Sequence, residues 1–181
     1  MFDVMALTRE SFGKLFEGGS GMLGFHNQET VELGAAEAIQ YNISTVCTSS
    51  NFIPLYRQLL SGTDIMAERV FSYPWGDISL EAKKVELARV IDLGADTVDS
   101  VINLSFLKSG MMHELESELS ELVAFARKRK ADIEIKFIVE CIFVTDAELA
   151  ADARLIKKSG VNFIKTQTSG RRPDRLYGRS G

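Results

Sequence analysis

The chain has 181 residues, of which 45% are hydrophobic and 25% charged, with a net charge of −4. This is enough for one domain with its own core, at ordinary globular composition. No apolar run approaches the roughly 18 residues of a membrane span, Asp3 and Glu10 spoil a secretory signal, and the acidic balance argues against nucleic-acid binding, so a cytoplasmic protein is expected.

Residues 2–17 read as one amphipathic helix, and Met22 to Phe25 as a weak first strand. Val31, Ala35, Ala38 and Ile39 then make an apolar stripe at helical spacing, with Asn42 as a stop. Ser44 to Thr48 reads as a short strand. Phe52 to Leu60 reads as a helix with Pro54 in its first turn. Arg69 to Tyr73 is a strand closed by Pro74, Trp75 and Gly76. Ser79 caps the next helix, whose inner face is Leu80, Leu87, Ala88 and Ile91, and Gly94 ends it.

Thr97 to Leu104 is a β-rich strand. Leu115, Leu119, Leu122, Val123 and Ala126 mark a long amphipathic helix. Ile133 to Glu140 is a strand. Thr145 and Glu148 form a capping box opening a helix with Leu149, Ala153 and Ile156 on its buried face. Val161 to Thr166 is the last strand. Strands alternating with helices imply βαβ units, a parallel sheet and right-handed crossovers. Residues 1–170 read as one domain. Residues 171–181, with four arginines and one aspartate, read as a basic irregular tail.

A strand buried on both faces should be nearly all apolar. Here Glu134, Lys136 and Glu140 share one face of a strand, Asp99 and Asn103 share one face of another, and Lys165 ends the last. Either these groups are solvated at frayed strand ends, or Asp99, Lys136 and Lys165 converge inside one barrel mouth, where strand C-termini build active sites. Cys47 and Cys141 make neither a disulfide framework nor a zinc site. His26 and His113 lack partners at ligand spacing, so no metal is expected.

The segments GADTVDSVINLSFLKSG (Gly94 to Gly110), IEIKFIVE (Ile133 to Glu140) and GVNFIKTQTSG (Gly160 to Gly170) resemble the deoxyribose-phosphate aldolase family of class I aldolases. STVCTSSNFIPLYRQLL (Ser44 to Leu60) and FSYPWGDISLEAKKVELA (Phe71 to Ala88) resemble two earlier segments, in order. The resemblance runs from about Asn27 to Ser169. It implies an α/β TIM-barrel-type parallel sheet, incomplete at about six of eight βα units. It also implies cleavage of 2-deoxy-D-ribose 5-phosphate to glyceraldehyde 3-phosphate and acetaldehyde through a lysine Schiff base, in deoxyribonucleotide catabolism.

By the same resemblance Lys165 falls on the Schiff-base lysine, Asp99 on the proton-relay aspartate and Lys136 on a strand lysine near the site. Cys47 and Thr168 fall on the substrate side. No cofactor is implied, and the implied partner is a small phosphorylated sugar or aldehyde; the open edges left by absent strands seven and eight add the expectation that the chain pairs with further copies of itself. The family's second lysine on strand seven and the phosphate loops after strands seven and eight have no counterpart here. By spacing, Gly21-Met22-Leu23 stands where the family carries an early-strand aspartate, and Ser169 where it carries glycine. A catalytically silent, shortened barrel and a related lysine aldolase with another phosphosugar or keto-acid substrate are the alternatives. Without the last two strands, Val101, Ile135 and Ile138 or their neighbours are expected to lose cover.

Overall fold

The computed structural model describes residues 6–19 and 27–168. Six strands lie side by side in chain order: β1 (Glu17–Gly18), β2 (Thr45–Cys47), β3 (Met66–Phe71), β4 (Thr97–Val101), β5 (Glu134–Ile138) and β6 (Phe163–Lys165). Every neighbouring pair is parallel. Parallel neighbours need a crossover, and helices supply it: α2 (Gln28–Tyr41), α3 (Ile53–Leu59), α4 (Leu80–Asp92), α5 (Leu104–Lys108) with α6 (Met112–Arg129), and α7 (Asp146–Ser159). A short α1 (Arg9–Gly13) precedes β1. Laid flat, five strand spacings would separate β1 from β6 by roughly 24 Å. Yet Glu17 on β1 meets Lys165 on β6 at 2.8 Å. The sheet is therefore curled into an incomplete TIM-barrel-type wall, as the family resemblance implied.

Local chemistry sets the element ends. The Asn27 side chain accepts from the Thr30 amide at the start of α2, and Asn42 ends that helix in the left-handed conformation at φ 51°. The Ser79 hydroxyl accepts from the Ala82 amide, and Thr145 with Glu148 forms a reciprocal capping box. The strand expected over Thr97 to Leu104 stops at Val101, because Asn103 turns the chain by capping α5 through the Phe106 amide. Gly76, at φ +66°, lies so close to the end of β4 that a Cβ would stand 2.2 Å from the Ile102 carbonyl oxygen. Only glycine fits that approach.

Three expectations shift. The strand expected at Arg69 to Tyr73 runs instead over Met66–Phe71, ahead of the turn residues. Residues 2–17 are not one helix: among the described residues, α1 ends at Gly13 and Glu17 already pairs with β2. The weak strand at Met22 to Phe25 lies outside the described residues, and the first strand of the sheet is Glu17–Gly18.

Outward-facing Val98, Ile135 and Phe137 pack under α4 and α6 with Leu87, Leu115, Leu119 and Leu122. Val46 and Ala67 pack under α2 and α3 with Val31, Ala35 and Tyr56. A buried ion pair, Lys83 to Glu118 at 2.6 Å, joins α4 to α6. No helix among the described residues is long and apolar enough to cross a membrane.

Val101, Ile135 and Ile138 are all buried, so the expected loss of cover does not fall on them. It falls at the sheet edges. Phe163 and Ile164 on β6 are 53% and 42% exposed, and Leu15 and Phe16 beside β1 are 53% and 46% exposed. Leu33 on the solvent side of α2 is exposed too. The four interior strands, β2 to β5, are paired on both sides; edge strands present unpaired N–H and C=O groups and invite association.

Sedimentation velocity of the 181-residue chain is expected to show self-association. A cooperative, monomeric species at all accessible concentrations would contradict that reading of the edges. A second expectation concerns Asp152 on α7. It is fully buried, and neither carboxylate oxygen has a hydrogen-bond partner among the described residues. Burial, with Glu148 nearby, pushes it up to about 7. A raised acid stabilises the fold below its unfolded pKa, and that contribution is lost as pH rises through the folded value. Asp152→Asn is therefore expected to gain stability relative to the parent as pH rises between about pH 4 and pH 7 and to hold that gain above this window. Urea unfolding across that window checks it; a pH-independent difference would place the cost elsewhere.

Candidate active site

Side chains alternate across the sheet, so register decides which ionisable groups meet. Cys47 pairs with Glu68, Val70 with Asp99, Asp99 with Lys136, and Ile138 with Lys165. All of these face the concave side. There Cys47, Val70, Val101 and Ile138 form a small apolar wall. Beside it lie the three groups that sequence patterning singled out. Asp99, Lys136 and Lys165 do converge: Asp99 is fully buried and Lys136 is 2% exposed, while Lys165, at the end of β6, keeps about a quarter of its side chain in solvent.

Lys165 donates to Asp99 Oδ2 and to Glu17 Oε2, the latter at 2.8 Å, and stands 3.6 Å from Glu68 Oε1. Lys136 donates to Glu17 and to Glu68 Oε2, the latter at 2.6 Å. Asp99 Oδ1 lies 4.0 Å from Lys136 and Glu134 Oε1 lies 3.6 Å from it. Two ammonium groups thus share three close carboxylates, Glu17, Glu68 and Asp99. These carboxylates stand close enough to one another to hold a metal ion, but the two lysine heads take the place of such a cation.

The surplus of one negative charge shapes every ionisation here. Burial, and then the Glu68 carboxylate, push Asp99 up to about 7 against the pull of both lysines. Burial alone would lower Lys165 and Lys136, but Glu68 and Asp99 outweigh it, and both lysines are held above the usual range. Burial works against Glu17 too, but the hydrogen bonds from both lysines leave it lowered. Asp99 Oδ1 has no hydrogen-bond partner among the described residues. Burial, Glu68 and Asp99 push the Cys47 thiol up to about 12, so it is a neutral wall group rather than a nucleophile.

Thr168 sits at the same end of the sheet, three residues beyond Lys165, and is buried. Its amide and its hydroxyl both donate to Glu140 Oε2, at 3.0 and 2.5 Å. Glu140 follows β5 in the left-handed conformation, at φ 49°, which turns its carboxylate toward the segment after β6.

Two members of the cluster escaped sequence reasoning. Glu68 was missed because the strand was expected to begin at Arg69; extending the alternation back from Val70 would have found it. Glu17 was missed because residues 2–17 were read as a helix. The Gly21-Met22-Leu23 position lies outside the described residues. The carboxylate actually brought to the lysines from the start of the sheet is Glu17.

A scan against protein-family models finds no match. Among curated proteins, the deoxyribose-phosphate aldolase of Caldanaerobacter subterraneus subsp. tengcongensis is 33% identical over 141 residues, 78% of this chain and 61% of the relative. That of Methanocella arvoryzae is 32% identical over 156 residues, 85% of this chain and 65% of the relative. Among solved structures, the tetrameric deoxyribose phosphate aldolase of Aeropyrum pernix superposes with a TM-score of 0.78 at 22% identity, over 89% of this chain and 66% of that one. The aldolase QR15 superposes with a TM-score of 0.76 at 22% identity, over 86% of this chain and 67% of that one. These structures show the fold alone. The chain spans 61% and 65% of the two curated relatives. In sequence and in fold, the chain is similar to the deoxyribose-phosphate aldolases over most of its own length.

Proposed function

We propose that the chain is a class I aldolase whose Lys165 forms an imine with the aldehyde carbon of 2-deoxy-D-ribose 5-phosphate. One observation carries this reading: Lys165 ends β6 on the concave face, hydrogen-bonded to the buried carboxylate of Asp99 beside a second lysine. The similarity to named aldolases supports it.

Imine formation needs an unprotonated amine, and a free lysine is only roughly one part in 2,500 neutral at pH 7. Lys165 must therefore hand a proton away, and Asp99 is the bonded acceptor. The freed amine adds to the carbonyl carbon, and the carbinolamine oxygen leaves as water after taking up that proton. The bond between C2 and C3 then breaks, its electron pair passing to the iminium to give an enamine, while the C3 hydroxyl loses its proton and becomes the aldehyde of glyceraldehyde 3-phosphate. Protonation of the enamine and hydrolysis release acetaldehyde and restore Lys165. Asp99 is the group placed to move these protons. Lys136 keeps a positive charge on the far side of Asp99. Cys47 supplies apolar wall, and Thr168 borders the mouth on the substrate side.

A second reading has a specific observation behind it. Lys165 is held as an ammonium by Asp99, Glu17 and Glu68, which suits a catalytically silent module built on the same wall.

Two tests separate the readings. Incubation with acetaldehyde and borohydride, followed by peptide mass spectrometry, is expected to place the reduced adduct on Lys165; labelling confined to other lysines, or full activity in Lys165→Ala, would sink the assignment. Asp99→Asn is expected to lower kcat by about 10²–10⁴-fold with little change in KM. Unchanged turnover in a folded Asp99→Asn variant would make Asp99 structural.

A further inference from the structure

The acid that touches both lysines from the middle of the sheet is Glu68, and nothing in the proposed chemistry uses it. A carboxylate on a core strand is costly unless it acts on something. Glu68 is 1% exposed. Its two oxygens divide between the lysines, Oε2 at 2.6 Å from Lys136 and Oε1 at 3.6 Å from Lys165. Its backbone is fixed in β3, paired on both sides.

We propose that Glu68 is a positioning residue that holds Lys165 in the ammonium form in the resting site and so sets the pH above which Lys165 becomes a nucleophile. The proposal rests on the aldolase reading for its meaning, but not for its test. The groups facing Lys165 are Glu17 from β1, Cys47 from β2, Glu68 from β3, Asp99 from β4 and Lys136 from β5, with Glu134 beyond Lys136. Glu17 is one-third exposed, so water screens its field. Asp99 is itself pushed toward the protonated form. Cys47 is a neutral thiol, and Lys136 repels. Glu68, 1% exposed and 3.6 Å from Lys165, is the buried carboxylate beside it that the proposed proton transfers do not use. Even with its proton passed to Asp99, a neutral Lys165 leaves Glu17 and Glu68 facing the single ammonium of Lys136, an imbalance that low-dielectric surroundings penalise.

The same placement ties the two lysines together. Because one carboxylate serves both, any ligand group that draws Glu68 toward Lys136 loosens its hold on Lys165.

The ionisation of Lys165 can be read without any aldol chemistry. The folded 181-residue chain is pulsed with acetic anhydride across a pH series, and acetylation of Lys165 is quantified by peptide mass spectrometry, with exposed Lys128 as internal reference. In the parent protein the Lys165 midpoint is expected above that of Lys128. In Glu68→Gln, which keeps shape and removes charge, it is expected to fall by at least about one pH unit, equal to about tenfold more labelling at a fixed pH below the midpoint. Glu68→Asp, which keeps the charge, is expected to stay nearer the parent. An unchanged midpoint in folded Glu68→Gln overturns the proposal. Should that variant not fold, a parent Lys165 midpoint at or below that of Lys128 overturns it, and one above Lys128 that collapses onto it in urea supports it. Absence of a borohydride-trapped adduct at every pH in both proteins would defeat the aldolase reading while leaving the acetylation midpoints to judge Glu68.

Discussion

Two lysine ammonium groups, one buried and one half-buried, set among three carboxylates on the concave face of a parallel sheet are the constraint on which the rest of this structure turns. Five different strands contribute to that cluster: Glu17 from β1, Glu68 from β3, Asp99 from β4, Lys136 from β5 and Lys165 from β6. A flat sheet would hold β1 and β6 far apart and leave each charge without enough partners. The curl that gives the wall its barrel character is therefore also what makes its interior charges tolerable. Breaking one partner out of such a network leaves an uncompensated buried charge, which is strongly destabilising.

The arrangement has a chemical tension built in. The geometry brings a lysine and an aspartate into direct contact beside an apolar wall, which suits carbinolamine and imine chemistry. The electrostatics oppose the neutral amine that this chemistry needs. Burial favours the neutral form of Lys165, but the carboxylates outweigh it. The net negative charge of the cluster raises Asp99 at the same time, and this keeps a proton acceptor of moderate basicity beside the amine. The two shifts have one cause, and they are resolved together by moving a single proton between Lys165 and Asp99.

Away from the cluster, the wall is held by ordinary apolar packing of α4 and α6 against β3, β4 and β5. The centre of the sheet is well covered and its margins are not. Phe163 and Ile164 on one margin and Leu15 and Phe16 on the other are half exposed. Between α1, β1 and α2 lies a groove of ≈ 660 Å³ lined by Phe12, Phe16, Leu33 and Tyr41. Both margins carry apolar surface and, among the described residues, a strand edge with no neighbouring strand, the two features that draw another polypeptide to a sheet edge.

Much of the fold was legible in the sequence, because helical and strand periodicities, caps at Ser79 and Thr145, and the stop at Asn42 are local signals. The charged residues at alternate positions of Ile133 to Glu140 and Thr97 to Leu104 also announced that one face of the sheet was unusual, and that pointed to Asp99, Lys136 and Lys165. Sequence did not reveal Glu68 or Glu17, because Glu68 sits one step before a strand start set at Arg69 and Glu17 is the last residue of what reads as a helix over residues 2–17, and periodicity sets both boundaries loosely. Nor did it reveal that Thr168 is tethered by Glu140, or that Lys83 and Glu118 pair between helices 35 residues apart. Those contacts join positions whose separation along the chain carries no periodic signal. The sequence by itself determined which residue types lie on the concave face, since alternation is a property of the backbone. Only the tertiary structure decided how many carboxylates face each lysine, and hence its protonation, because that count depends on sheet curl and register across five strands.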